Sequence, residues 1–278
     1  MPGEALDDAL GAAKSLAARR IPTTLTQLGE NVTNPQEAAV VTDQYLDALG
    51  RVAEVGLDTE ISVKPTHLGL DFDPEPALRN TERLAARAAE LGNWLWIDME
   101  ASPYVEETLD LYRRLRTGFE HVGVCLQAYL RRTRADMNQL LKLGASIRLV
   151  KGAYREPAGL VVGKKREVDE SYLELALLAL IREERGRLAF GTHDVKLIDR
   201  IEAAAIGRGI GREAFEVQML YGIRQADQFR LAGAGYRVRT LIAYGSSWYP
   251  WYMRRLAERP ANLFFVARNI FQRAPEGF

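Results

Sequence analysis

Residues 144–156 read GASIRLVKGAYRE. Ile147, Leu149 and Val150 give this run the β-branched and apolar content of a buried strand. The same run carries Arg148 and Lys151, then opens into Gly152, Ala153 and Tyr154. A strand that delivers cations into a glycine turn is a candidate site, because small residues let backbone N–H groups approach a flat or phosphorylated ligand closely. Taken alone, the stretch reads equally well as an edge strand with solvated cations. What decides between the two is whether the rest of the chain repeats the unit and converges on it.

The unit does repeat. On the N-terminal side, TTLTQLGEN is an alternating run broken at Gly29, followed by a helix from Asn34 as cap and Pro35 at its first position to Gly56 as stop. TEISVKPTH is a strand ending at Lys64, with NTERLAARAAELG as its helix, capped by Asn80 or Thr81. WLWIDMEA ends at Asp98 to Glu100, with a helix from Pro103 (cap Ser102) to Thr117. HVGVCLQAYL ends near Gln127, with a helix through Lys142. The opening stretch is the fifth strand, and EVDESYLELALLALIREERG is its helix. RLAFGTHD, FEVQMLYGI and YRVRTLIAYG follow as strands, with helices over Val195–Gly207, Arg224–Gly233 and Trp248–Arg259. Near-continuous apolar strands alternating with amphipathic helices indicate a parallel sheet. Eight such pairs in 278 residues point to an α/β fold of the (β/α)8 barrel (TIM barrel) type. An open doubly wound sheet would show a glycine fingerprint after its first strand, and no GxGxxG stands there. No linker interrupts the series, so the expectation is one barrel domain over 21–278 behind a short N-terminal helix in 1–20.

A barrel places its site where the strands end. The polar residues at those ends are Glu30, Lys64, Asp98, Gln127, Arg148 with Lys151, His193 with Asp194, and Tyr221. Charge scattered along buried strands is costly unless the ions have partners, so a converging set is the better reading. In the last helix Trp251, Arg254, Arg255 and Glu258 share one face, at i, i+3, i+4 and i+7. Adjacent guanidinium groups supported by a carboxylate suit a bidentate grip on a carboxylate or phosphate. The plainer alternative is a surface ion pair between Arg254 and Glu258.

Composition removes several classes of function. Lys plus Arg equals Asp plus Glu at 37 each, which argues against nucleic acid as a partner. Cys125 is the only cysteine, so there is no internal disulfide and no thiolate metal site. It reads as core of the fourth strand, between Val124 and Leu126. No apolar run approaches bilayer length, and the acidic N-terminus lacks a signal core. The expectation is a cytoplasmic chain with no bound metal.

With these residues in place the chain resembles the proline dehydrogenase family, flavin-dependent (β/α)8 enzymes that oxidise L-proline to 1-pyrroline-5-carboxylate. The blocks that carry the resemblance are LGEN at 28–31, SVKP at 62–65, IDMEA at 97–101, LQAYLRRT at 126–133, RLVKGAY at 148–154, THD at 192–194, EVQMLYGI at 216–223 and RRLAERPANL at 254–263. The resemblance implies FAD as cofactor. It also implies that Lys64, Arg254 and Arg255 hold the substrate carboxylate, with Glu30 and Glu258 balancing those cations. Asp98 matches the active-site acid near the substrate amine. Arg148 matches the arginine that bonds the flavin N5 edge, and Leu220 presses on the substrate ring. Gln127 and the backbone at Met99 would meet the polar edge of the flavin. Val150, Lys151, Gly152, Ala153, Thr192 and His193 would line the rest of the cofactor. A quinone as electron acceptor follows from the same resemblance, and with it peripheral contact at the inner face of the membrane.

The chain departs from the family's pattern at three positions and before its first strand. Where the family has Tyr-x-Pro-x-Gly on strand eight this chain has Leu241, Ala243 and Gly245, keeping only the glycine, and a tyrosine three residues before the arginine pair is replaced by Trp251. Losing a phenol at 241 opens space and removes a hydrogen-bond donor, while Trp251 adds bulk without restoring the hydroxyl. The expectation is a retained carboxylate clamp and flavin site with a shifted substrate preference. A larger cyclic or N-alkylated amino acid is the alternative to proline, and a non-catalytic flavin or amino-acid binding module is a third reading. The segment ahead of the first strand is also short for this family.

Overall fold

Thr23–Gln27 (β1) and Arg237–Tyr244 (β8) pair in parallel along their length, Thr23 opposite Thr240 and Gln27 opposite Tyr244, and this contact closes the sheet. The structure, a computed structural model, describes residues 1–181 and 186–249. Between these two strands lie Thr59–Val63 (β2), Leu95–Ile97 (β3), Val122–Gln127 (β4), Ser146–Val150 (β5), Leu188–Gly191 (β6) and Glu216–Leu220 (β7), each paired with its sequence neighbours in one closed barrel. The helices are Leu6–Ala17 (α1), Pro35–Glu54 (α2), Pro74–Glu90 (α3), Val105–Arg116 (α4), Thr133–Leu141 (α5), Lys165–Leu180 (α6), Val195–Ile206 (α7) and Gln225–Gly233 (α8). The (β/α)8 expectation is met.

Local chemistry explains the helix starts. Asn34 caps α2 by accepting a hydrogen bond from Glu37 N at 2.9 Å, with Pro35 behind it. The same device starts α3 earlier than the sequence reading placed it: Asp73 accepts from Glu75 N at 3.0 Å and Pro74 follows. Asn80 and Thr81 are therefore not caps. They lie inside the helix, where Thr81 Oγ1 donates to Ala77 O at 2.7 Å and Asn80 Nδ2 to Leu68 O at 3.0 Å. Ser102 is likewise not the cap of α4. It opens a short 3-10 turn, and the α-helix begins at Val105. Of the expected last helix only Trp248 and Tyr249 fall among the described residues, so Trp251, Arg254, Arg255 and Glu258 lie outside them.

The core lies in two shells. Between sheet and helices sit Tyr45, Tyr112, Tyr172, Phe190 and the aliphatic strand residues, all buried. The Tyr172 hydroxyl donates to Leu149 O at 2.8 Å, which satisfies a polar group that burial would otherwise penalise. Inside the barrel, near the N-terminal strand ends, the filling is ionic. Arg239 Nε lies 3.1 Å from Glu216 Oε2 and its Nη2 lies 3.2 Å from Glu60 Oε1, while Arg187 Nη1 reaches Glu60 Oε1 at 2.6 Å. Trp96 Nε1 donates to Glu60 Oε2 at 2.7 Å. Each buried carboxylate thus faces two guanidinium groups, which is what lets charge persist there.

Candidate active site

Period-two alternation turns every second strand residue inward. At the C-terminal ends these residues surround a cavity of about 800 Å³. Thr26 reaches it from β1, Cys125 and Gln127 from β4, Arg148 and Val150 from β5, Gly191 from β6, Gln218 and Leu220 from β7, and Leu241 from β8. Lys64, Asp98 and His193 enter from the residues just beyond strand ends.

Arg148 is the anchor of the deeper part and is 3% exposed. Its Nη1 donates to Asp98 Oδ1 at 3.0 Å and to Ser62 Oγ at 2.8 Å, and the Ser62 hydroxyl donates in turn to Asp98 Oδ1 at 2.9 Å. The guanidinium carbon sits 4.6 Å from the centre of the Trp96 ring. Its Nε and Nη2 are buried and have no hydrogen-bond partner among the described residues. Buried donors left unmade are expensive, so two on one cavity-lining cation point to a ligand acceptor.

A second group gathers around Lys64, a buried side chain with no ion pair among the described residues. The Tyr154 hydroxyl donates to Glu30 Oε2 at 3.3 Å. Glu100 accepts from Thr66 N at 2.9 Å and from Thr66 Oγ1 at 2.6 Å, and burial still pushes its carboxyl up to about 7 against the pull of those bonds and of Lys64. Burial, aided by Lys64, lowers His67 to about 4. An ammonium beside a carboxyl that resists ionisation and a neutral imidazole keeps its positive field for an anion in the cavity.

The outer rim carries Lys151, which bridges Asp169 and Asp194, the latter at 3.1 Å. Both carboxylates are held below their usual range by Lys151 and Lys165 despite their burial. Gly152 has φ +112°, and a Cβ there would lie 2.2 Å from the Tyr129 ring, so only glycine lets this turn pass beneath the tyrosine. Thr192 Oγ1 accepts from Asp194 N at 3.1 Å, and His193 Nε2 accepts from Leu220 N at 3.2 Å, which leaves the proton on Nδ1. Gln127 commits its amide nitrogen to Glu100 O at 2.7 Å, so its carbonyl oxygen is the group available to a ligand.

Of the residues singled out from sequence, Lys64, Asp98, Met99, Gln127, Arg148, Val150, Lys151, Gly152, Ala153, Thr192, His193, Leu220 and Leu241 all line this one cavity. Glu30 stands behind it, through Tyr154. Tyr221, taken as a strand-end site group, does not line it and instead packs partly buried against the core. The reason is parity: one residue further along β7 points to the opposite face. Cys125 is buried with its thiol pushed up to about 12, as a core residue should be, yet it also touches the cavity wall. Sequence reading missed Ser62, Thr26, Gln218, Tyr129 and Asp169. Ser62 sat inside a quoted motif, whereas nothing in the sequence ties Asp169 of α6 to Lys151.

The architecture and the cation-lined cavity at the C-terminal strand ends define a barrel enzyme whose site is prepared for an anionic small molecule. The family model described as "Proline dehydrogenase" matches residues 9–268. The chain is 35% identical to "Proline dehydrogenase 2" of Bacillus subtilis subsp. natto, over 96% of this chain and 88% of that relative. It is 36% identical to "Proline dehydrogenase" of Deinococcus radiodurans, over 97% and 88% respectively. Among solved structures, proline utilization A from Bdellovibrio bacteriovorus inactivated by N-propargylglycine superposes with a TM-score of 0.86 at 24% identity, over 92% of this chain and 32% of that one, so the chain spans about a third of its length. The chain belongs to the proline dehydrogenase family and is an oxidoreductase.

Proposed function

We propose that this chain oxidises L-proline to 1-pyrroline-5-carboxylate with FAD as its cofactor. The observation that carries the reading is Arg148: a cavity-lining cation fixed at one end by Asp98 and Ser62, with Nε and Nη2 buried and without a hydrogen-bond partner among the described residues. The residues fit a flavin. Val150, Met99 and Leu220 supply apolar contact for a flat ring, and Gly152 and Ala153 allow close backbone approach. Gln127 offers an acceptor to the polar edge, and Lys151, Thr192 and His193 supply polar groups for the sugar and phosphates. Bound there, FAD would supply the hydride acceptor.

The protein's own residues do the rest. Lys64 draws the substrate carboxylate, and Arg254 and Arg255 are assigned with it as a clamp, balanced by Glu30 and Glu258. Asp98 would face the substrate amine while holding Arg148, which would place a fixed positive charge beside a bound flavin. The catalytic unit is assigned to residues 21–278, behind the N-terminal helix. A quinone is the proposed electron acceptor, reached by peripheral membrane contact. No helix of the described residues is long and apolar enough to cross a membrane.

Leu241 favours a second reading, because it lines the cavity where a family tyrosine is expected. The same chemistry on a larger cyclic or N-alkylated amino acid would use the space it opens. Anaerobic titration of the FAD-reconstituted protein with L-proline separates the two. Bleaching of the oxidised flavin at modest concentration supports proline; yellow flavin that proline leaves oxidised, but a bulkier cyclic amino acid bleaches, overturns it.

A further inference from the structure

The Arg148 guanidinium carbon lies over the Trp96 ring, 4.6 Å from its centre, and Trp96 is 0% exposed. Asp98 and Ser62 hold Nη1 only, so they fix one corner of a planar group and leave its tilt open. The ring face beneath sets that tilt. An aromatic face also does what a carboxylate in the same place would not. It stabilises a cation through its quadrupole without offering an acceptor that would capture Nε and Nη2.

Trp96 is itself held from the far end of the barrel. Nε1 donates to Glu60 Oε2 at 2.7 Å, and Glu60 is gripped by Arg187 and Arg239. Arg187 lies 4.5 Å from the Trp94 ring centre and 5.7 Å from that of Trp96. On the neighbouring strand Gly123 leaves the room the indole needs, since a Cβ there would lie 2.4 Å from Trp96 Cζ3. The ionic plug near the N-terminal strand ends is thereby joined to the cavity through one stacked side chain.

We propose that Trp96 is a positioning residue: its ring face sets the plane of the Arg148 guanidinium, keeping Nε and Nη2 aimed at the cofactor rather than at protein acceptors. The stacking stands on its own, while the identity of the ligand those donors meet rests on the flavin reading above. Trp96→Leu removes the face, Trp96→Phe keeps a face but loses the N–H, and Gly123→Ala displaces the intact indole.

Two readouts test the idea. In flavin-free, 15N-labelled protein the Arg148 Nε–H proton, assigned by its loss in Arg148→Lys, is shifted upfield by the ring. That shift is expected to persist in Trp96→Phe, and to relax in Trp96→Leu and Gly123→Ala. In flavin-loaded protein, sulfite binds flavins reversibly and bleaches them, and a well-placed cation tightens it. Its Kd is expected to rise about tenfold in Trp96→Leu and Gly123→Ala and to stay within about threefold of the parent in Trp96→Phe. An Arg148 resonance unmoved by Gly123→Ala, or a sulfite Kd within about twofold of the parent in the same variant, overturns the proposal even where Trp96→Leu does not fold. A parent protein that takes up no flavin overturns the flavin reading alone, and the Arg148 resonance then decides the stacking.

Discussion

Arg148 Nη1 lies 3.0 Å from Asp98 Oδ1, and the Ser62 hydroxyl is 2.8 Å from the first and 2.9 Å from the second, so three strands of the barrel meet in one hydrogen-bonded triangle. The hydroxyl accepts from the cation and donates to the anion, which ties their orientations together. Fixed charge of this kind needs no rearrangement when charge develops nearby. Arg148→Met is expected to lower kcat by about 10²–10³-fold with the fold intact. Ser62→Ala leaves both charges in place and is expected to lower it by about tenfold. Steady-state assays with proline read both, and an Arg148→Met enzyme with near-parental kcat would remove Arg148 from the chemistry.

Lys64 has a different signature. A buried ammonium that binds the substrate carboxylate in ground state and transition state alike acts on KM. Lys64→Met is expected to raise KM for the amino acid by about 10²-fold with a smaller change in kcat. A variant with unchanged KM and depressed kcat would mean that Lys64 does not hold the carboxylate.

Two buried groups beside Lys64 give stability opposing pH dependences. Burial raises Glu100 to about 7 from an ordinary 4.5, so the folded state binds its proton more tightly. The stability this contributes is complete below the ordinary value and is lost as pH rises through about 7. Burial lowers His67 to about 4 from an ordinary 6.5, so its contribution is complete above the ordinary value and is lost as pH falls through about 4. Across the overlap the two slopes offset each other. Glu100→Gln, whose amide can repeat the two Thr66 contacts of the protonated acid, is expected to expose a stability that climbs from pH 4 to 6.5. His67→Gln is expected to expose one that falls from 4.5 to 7. Denaturant titrations across this range check both signs.

Gly152→Ala forces a side chain into a backbone at φ +112° with its Cβ 2.2 Å from Tyr129. The turn must move, and cofactor content is expected to fall more than thermal stability does. A variant that retains full flavin after gel filtration would show that this turn does not approach the cofactor.

Leu241→Tyr restores the phenol at a cavity-lining position. The ratio of kcat/KM for proline over that for a bulkier cyclic amino acid is expected to rise by about 10-fold or more, as filling a pocket and adding a hydrogen bond does elsewhere. A ratio that does not move would place substrate selection in other residues.

How much of this was legible before the structure depends on the kind of signal. The barrel was, because alternating strands and helices carry distinct periods and Asn34–Pro35 announces a helix start chemically. Asp73–Pro74 carries the same announcement, while Asn80 and Thr81 only resemble caps: Thr81 bonds back within the helix and Asn80 reaches Leu68 O in the turn before it. Strand-end charge located Lys64, Asp98 and Arg148. Polar residues within strands, such as Thr26 and Gln218, look like ordinary β residues until closure turns them inward. Asp169 reaches Lys151 across a loop and a helix, a proximity that only the fold creates.

The seam between β1 and β8 has a consequence for how the chain comes into being. Thr23 pairs early with Thr59 of β2, but its other neighbour is Thr240, so one edge of the first strand stays open until nearly all the other strands have been synthesised. The helix α1 waits with it, for Ala9, Leu10, Ala13 and Leu16 are buried in a helix that packs on those same two strands. During that interval an unpaired edge and an apolar helix face are open to wrong partners, which ties successful maturation to the synthesis of β8.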